Sequence, residues 1–60
     1  MDATREQAIE WCRSVGADFK VANHQPPEGW MWAQDGDALV LTALFTNTED
    51  ADITLFDVKA

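Results

Sequence analysis

The chain has few of the residues on which enzymes and metal sites depend. Its 60 residues include one cysteine, Cys12, and one histidine, His24. A single cysteine forms neither an intramolecular disulfide bond nor a multi-cysteine zinc site. Cysteine–histidine catalysis also needs a third group that orients the base, and the sequence shows no such set. We therefore expect no cofactor, no metal and no enzymatic activity.

Positive charge is scarce as well, since four lysines and arginines stand against eleven aspartates and glutamates, a net charge of −7. Such a chain repels phosphates, which argues against direct contact with nucleic acid or with an anionic membrane. The chain lacks an apolar run of the roughly 18 residues that span a bilayer, and residues 1–6 lack the pattern of a signal peptide. We expect a cytoplasmic protein.

Residues 4–15 carry the pattern of an amphipathic helix. Thr4 and Gln7 have the spacing of a capping box, and Gly16 stands where a left-handed residue ends many helices. Apolar residues recur between them at helical spacing. Cys12 belongs to this stripe, so we expect it to be buried and structural. The stripe comprises Ala8, Trp11, Cys12 and Val15.

After Gly16 the pattern changes to alternation, which is typical of strands. We predict a short first strand over 17–23. A loop follows over 23–29, because its two prolines cannot lie inside a paired central strand. A second strand is predicted over 30–34 and a third over 38–46, and the third is apolar on both faces, as central strands are.

Asp35-Gly36 is the strongest turn signal in the chain, because these residue types suit the two central positions of a type I′ hairpin turn. A two-residue loop at these positions places the two strand tryptophans on one face of the sheet, where they form the core beneath the helix. The predicted pairs are Gln34 with Asp37, Trp32 with Leu39 and Trp30 with Leu41.

A fourth strand is predicted over 51–58, with two possible registers. One places Phe56 and Val58 on the tryptophan face, and the other places Ile53 and Leu55 there. We favour the first, because the second brings an aspartate close to the tryptophans. The predicted fold is α+β: one domain, residues 1–60, in which an N-terminal helix packs on a three- to four-stranded antiparallel β-meander.

The acidic residues are concentrated in the second half of the chain. Residues 1–27 carry four acids and three bases, whereas residues 28–60 carry seven acids and one base. Carboxylates two residues apart on a strand lie about 6.6–6.8 Å apart, and phosphates rise by about 3.4 Å per step along one DNA strand. The acids therefore present a density of negative charge of the same order of magnitude as a short duplex. Such a surface suits a protein that holds nucleic acid through lysine and arginine. The predicted partner-binding residues are Glu28, Asp35, Asp37, Glu49, Asp50 and Asp52.

In size and charge the chain resembles the small acidic inhibitors that phages encode, which include anti-CRISPR proteins and antirestriction DNA mimics. The resemblance rests on a single sixty-residue domain, on the acidic surplus of residues 28–60 and on the lack of disulfides and of a catalytic set. It carries no sequence motif. It implies occlusion of a basic nucleic-acid channel in a defence complex of a bacterial or phage-infected host cell.

Three interpretations of the sequence remain open. In the first, a monomeric or weakly dimeric acidic protein occludes the basic nucleic-acid-binding surface of a partner protein or complex. In the second, the chain is a small homo-oligomeric accessory or structural module, because one helix cannot cover both faces of the sheet and an uncovered apolar face favours association. In the third, the chain is a small enzyme or a metal binder. The acids themselves have an alternative explanation, which is the solubility of a small domain, since net charges of up to about 8 are ordinary. The uncovered face would carry Met31, Ala33, Val40 and Leu44.

Overall fold

A computed structural model of the chain describes residues 1–46 and 51–60. Over these residues it has an N-terminal helix, a three-stranded antiparallel sheet and a short C-terminal helix, so the α+β class is confirmed. The sheet order is β1-β2-β3. The elements are helix α1 (Arg5–Val15), strands β1 (Trp30–Asp35), β2 (Ala38–Ala43) and β3 (Asp52–Ile53), and helix α2 (Leu55–Lys59).

Helix α1 begins and ends where the sequence predicts. The Thr4 hydroxyl accepts a hydrogen bond from the Gln7 backbone amide (3.2 Å), and the Gln7 side chain accepts one from the Thr4 amide (2.9 Å). This reciprocal pair satisfies two amides that would otherwise lack partners in the first turn. Gly16 ends the helix in the left-handed conformation, with φ of 61°. Ala8 and Cys12 are buried on its inner face.

The predicted strand over 17–23 is wrong, because these residues form turns. The Asp18 carbonyl accepts the backbone amide of Ala22 (2.9 Å), and the Asp18 carboxylate accepts the amide two residues ahead of it (2.8 Å). Such local side-chain-to-backbone bonds compete with strand pairing. Ala22 has a positive φ of 48°. The alternation still places Phe19 in the core, whereas Val21 is exposed.

The hairpin of β1 and β2 is confirmed, but its turn lies one residue further along than predicted. Asp35 pairs with Ala38, so the two turn residues are Gly36 and Asp37. Gly36 has φ of 62° and Asp37 has no positive φ. A positive φ at the first turn position alone is the pattern of a type II′ turn. The predicted type I′ turn would have forced an aspartate as well as the glycine to positive φ.

The predicted pairing of the hairpin is therefore wrong by two residues. Trp32 lies opposite Leu41 rather than Leu39, and Trp30 lies opposite Ala43. Because side chains alternate with a period of two, a shift of two residues leaves each side chain on its predicted face. The prediction of the buried face is thus correct although its pairs are not.

Strand β2 ends at Ala43, three residues before the predicted end at residue 46. The chain bends at Leu44 and Phe45. This bend brings the Phe45 ring against the Trp30 ring, with centroids 5.8 Å apart. The turn predicted at 47–50 lies outside the described residues.

The predicted fourth strand over 51–58 is wrong beyond its first residues. Only Asp52–Ile53 pair with β2, and Ile53 lies opposite Leu41 in the core. The favoured register is wrong as well, because Phe56 is 85% exposed.

Helix α2 replaces the rest of that strand because its first residues form a second capping box. The Thr54 hydroxyl accepts from the Asp57 backbone amide (3.3 Å), and the Asp57 carboxylate accepts from the Thr54 amide (2.7 Å). The sequence carries the signal for this cap, a threonine followed three residues later by an acid. The apolar alternation across 51–58 favoured a strand instead, so the helix was not predicted.

The core lies between α1 and the inner face of the sheet, with the tryptophans in or against it as predicted. Trp30 is buried, and the partly exposed Trp32 packs against the core. Its ring lies 5.1 Å from Phe19 and 6.3 Å from Trp11, in the edge-on and tilted geometries that aromatic pairs favour. The buried cluster comprises Ala8, Cys12, Phe19, Trp30, Leu41, Ala43, Ala51 and Ile53.

Candidate functional site

The tip of the hairpin presents two carboxylates to solvent. Asp35 and Asp37 flank Gly36, and all three residues are exposed. The Gln34 side-chain amide donates to the Gly36 carbonyl (2.8 Å), which ties the turn to the end of β1. Among the described residues, no ion pair involves either aspartate. Within the part of the chain that the structure describes, the negative charge of the tip is therefore not neutralised by an ion pair.

The other predicted acids do not join this tip. Glu28 precedes β1 at its opposite end, where its carboxylate lies 3.4 Å from the Met1 ammonium nitrogen. Asp52 pairs with Thr42 of β2. Thr42 lies four residues after Ala38, the residue of β2 that pairs with Asp35 beside the turn. At the usual rise per residue this separation is about 13 Å.

The structure thus places the predicted acids in two groups at opposite ends of the sheet. Asp35 and Asp37 form one group, and Glu28 and Asp52 belong to the other end. Glu49 and Asp50 lie outside the described residues.

Both arginines are held at the contact between the two helices. The Arg5 guanidinium lies 3.3 Å from the Asp57 carboxylate. Arg13 donates from Nε to the Val58 carbonyl (2.9 Å), from Nη2 to the Ala60 carbonyl (3.0 Å) and from Nη1 to Glu10 (3.0 Å). The positive charge of α1 is therefore used to dock α2 rather than to neutralise the hairpin.

The structure favours the ionised form of Asp57. The pKa of its carboxyl is lowered, first by the backbone hydrogen bond from Thr54, and further by the Thr54 hydroxyl and the Arg5 guanidinium; partial burial opposes them. Hydrogen bonds and a nearby cation both favour the charged form of an acid. Asp57 therefore stabilises the attachment of α2.

Cys12 and His24 do not form a reactive pair. Cys12 is a buried free thiol, as expected, and burial raises its pKa so that the unreactive thiol form is favoured. The His24 ring meets the Trp11 ring edge-on at 6.4 Å, and the His24 carbonyl accepts the Trp32 indole N–H (2.8 Å). Both residues therefore take part in packing the core and the loop that covers it.

A groove of about 410 Å³ runs beside the tip half of the hairpin. The turn that carries Phe19 and Lys20 forms part of its wall, and the start of α2 forms another part. The prediction that Val40 lies on an uncovered sheet face is wrong, because Val40 is only 3% exposed. The sequence analysis missed this groove, because it placed a strand over 51–58. The lining residues are Phe19, Lys20, Gln34, Asp37, Ala38, Leu39, Val40, Thr54, Leu55 and Phe56.

The described residues were compared with the requirements of a metal site and of a membrane-spanning helix. Within residues 1–46 and 51–60, no group of three or more His, Cys, Asp or Glu residues is arranged to hold a metal ion. Neither helix in these ranges has the length and apolar character needed to cross a membrane.

Comparison of the chain with protein-family models, with curated proteins and with solved structures found no match.

Proposed function

We propose that this chain is a non-enzymatic acidic protein that binds and occludes the basic nucleic-acid-binding surface of a partner protein or complex. The observation that carries the proposal is the hairpin tip, where Asp35 and Asp37 are exposed and have no ion-pair partner among the described residues. The arginines that would neutralise such a surface are engaged between the helices. The anionic field of the sheet is therefore available to a partner.

The spacing of the two acidic groups suits a basic groove rather than a single cation. The step of about 13 Å along β2 between the tip and Asp52 corresponds to about four phosphates of one DNA strand. The whole domain measures 25 × 25 × 22 Å, so its longest dimension corresponds to about seven phosphate steps of roughly 3.4 Å along one DNA strand. Each exposed charge pair contributes only about 0–1 kcal/mol. Occlusion by this surface is therefore distributed over several acids.

The proposal is tested with two charge-reversal variants of equal charge. One carries Asp35→Lys, Asp37→Lys and Asp52→Lys, and the matched control carries Asp2, Glu6 and Glu10 changed to lysine. Immobilised parent and variants are exposed to bacterial lysate at low and high salt, and bound proteins are released with random-sequence duplex DNA. Circular dichroism checks that all three proteins are folded.

We expect the parent and the helix variant to retain proteins that duplex DNA displaces, because the chain and DNA bind the same basic surface of those proteins. High salt should weaken this binding. The sheet variant loses these proteins. Equal loss from both variants would show that only net charge matters. Retention by the sheet variant would contradict the proposal and leave the acids as solubility charge.

A second candidate function is homo-oligomerisation through the face of the sheet that points away from α1. It is favoured by the exposed apolar side chains of Met31 and Leu44. Sedimentation at low and high salt separates the candidates, because apolar association persists as salt rises whereas charge-driven binding weakens. A Met31→Ser change that dissociates an oligomer would support this candidate.

A further inference from the structure

The groove beside β2 exists because β3 is short. β3 pairs with β2 at Leu41 and Thr42, so among the described residues no strand lies beside Ala38–Val40. A strand continued in this register would place Leu55 opposite Leu39, but Leu55 begins α2 instead. The groove therefore occupies the position that a longer third strand would have filled.

The backbone of Leu39 faces this open edge. Asp35 and Ala38 flank the two-residue turn, and a turn of this kind directs their peptide groups toward each other. Successive residues of an antiparallel pair alternate in the side to which they hydrogen bond. The Leu39 N–H and C=O therefore point away from β1, into the groove. An unpaired edge of this kind accepts an extended peptide through main-chain hydrogen bonds.

The groove also offers apolar surface for the side chains of such a peptide. Leu39 contributes from the hairpin, and Leu55 and Phe56 contribute from α2. Phe19, in the turn over 17–23, also lines the groove but is largely buried. Phe56 is 85% exposed. A ring so exposed adds little to the stability of the free domain, but it gains a partner when a peptide fills the groove.

Charge determines which occupant fits. Asp37 lines the groove and Asp35 lies beside it, and Lys20 is the basic residue of the described lining. A second copy of this chain would bring two molecules of charge −7 and two pairs of tip aspartates together, and like charges at an interface oppose binding. Nucleic acid is repelled for the same reason.

We propose that the β2 edge at Ala38–Val40 binds an extended, basic segment of a partner protein as an added strand. This inference rests on the proposed function only for the sign of the partner's charge. It adds a directional backbone contact to a surface that otherwise acts through charge alone.

The test uses a capped eight-residue peptide that alternates lysine with valine, titrated into the ¹⁵N-labelled full chain and followed by amide chemical shifts. One control peptide is N-methylated at alternate positions, which removes main-chain donors but keeps every charge. A second control has glutamate in place of lysine. The protein variant is Phe56→Ser, and the matched control is Val21→Ser, which replaces an exposed apolar residue outside the groove lining.

We expect shifts concentrated at Ala38–Val40 and the start of α2. N-methylation should weaken binding about tenfold, the effect of losing one or two hydrogen bonds. Phe56→Ser should weaken binding and Val21→Ser should not, and the glutamate peptide should not bind.

Three results would overturn the inference. Equal binding of the N-methylated peptide would show attraction by charge alone, which leaves the proposed function standing. Shifts at Leu39 that depend on protein concentration without peptide would show self-pairing instead. Binding of the glutamate peptide as tightly as the lysine peptide would remove the argument from charge, and with it a premise of the proposed function.

Discussion

Gly36 is the residue on which the hairpin turn depends most directly. Its φ of 62° suits glycine, and a Cβ built there meets no atom within 4 Å. Any cost of Gly36→Val is therefore backbone strain rather than a clash. We expect a loss of about 1–3 kcal/mol in the free energy of unfolding, the usual range for such strain.

Urea titration followed by tryptophan fluorescence measures this loss. Asp37→Val is the matched control, because it adds the same side chain at the neighbouring turn position, where φ is not positive. Equal denaturation midpoints for Gly36→Val and the parent would show that the turn is not where the structure has it.

At the scale of elements, α2 is held by a capping box and two arginines, which makes its attachment sensitive to acid. The pKa of Asp57 is lower in the folded chain than its ordinary value, chiefly because the Thr54 amide donates to its carboxylate. An acid with a lowered folded pKa stabilises the fold above its unfolded pKa, and this stabilisation is lost as pH falls through the folded pKa. We expect α2 to detach below about pH 4.

Amide chemical shifts of Phe56 and Val58 measured between pH 7 and pH 2 report this transition. In Asp57→Asn the side chain cannot titrate, so the acid-dependent change in α2 should be absent and the helix should be weaker already at pH 7. An unchanged acid transition in this variant would assign it to other carboxylates.

An element whose ends are marked by capping residues could be predicted from the sequence. A segment in which a strand pattern competes with local hydrogen bonds could not. Thr4, Gln7 and Gly16 mark the first helix by hydrogen bonding and φ alone. In 17–23 and 51–58 alternation favours a strand, but side chains that bond to nearby amides favour turns and a helix. Asp18 and Thr54 carry those bonds, and they decide the outcome in both segments.

The candidate site was predictable in composition but not in arrangement. The surplus of acids is visible in the sequence, and the exposure of Asp35 and Asp37 follows from their place at a hairpin turn. Their separation from Asp52 could not be predicted, because it depends on the register of β3. The groove could not be predicted either, since it requires the strand to stop at Ile53.

For the molecule as a whole, we expect folding to be independent of metal. The single cysteine is buried in the core and the single histidine packs on Trp11, so neither is free to bind a metal ion with the acids. EDTA should leave the melting temperature unchanged in differential scanning fluorimetry. A lower melting temperature in EDTA, restored by Ca²⁺ or Zn²⁺, would contradict this expectation.

The hydrogen bonds from Arg13 to the last residues also determine the order in which the elements of the domain unfold. Its hydrogen bonds join positions 45 and 47 residues apart in sequence, whereas the hairpin closes over a two-residue turn. Closing a long loop costs more entropy than closing a short one, so the C-terminal helix forms late and opens first. In deuterated water its amides should exchange well before those of the hairpin. Each such opening removes one wall of the groove while the strand edge at Leu39 stays intact.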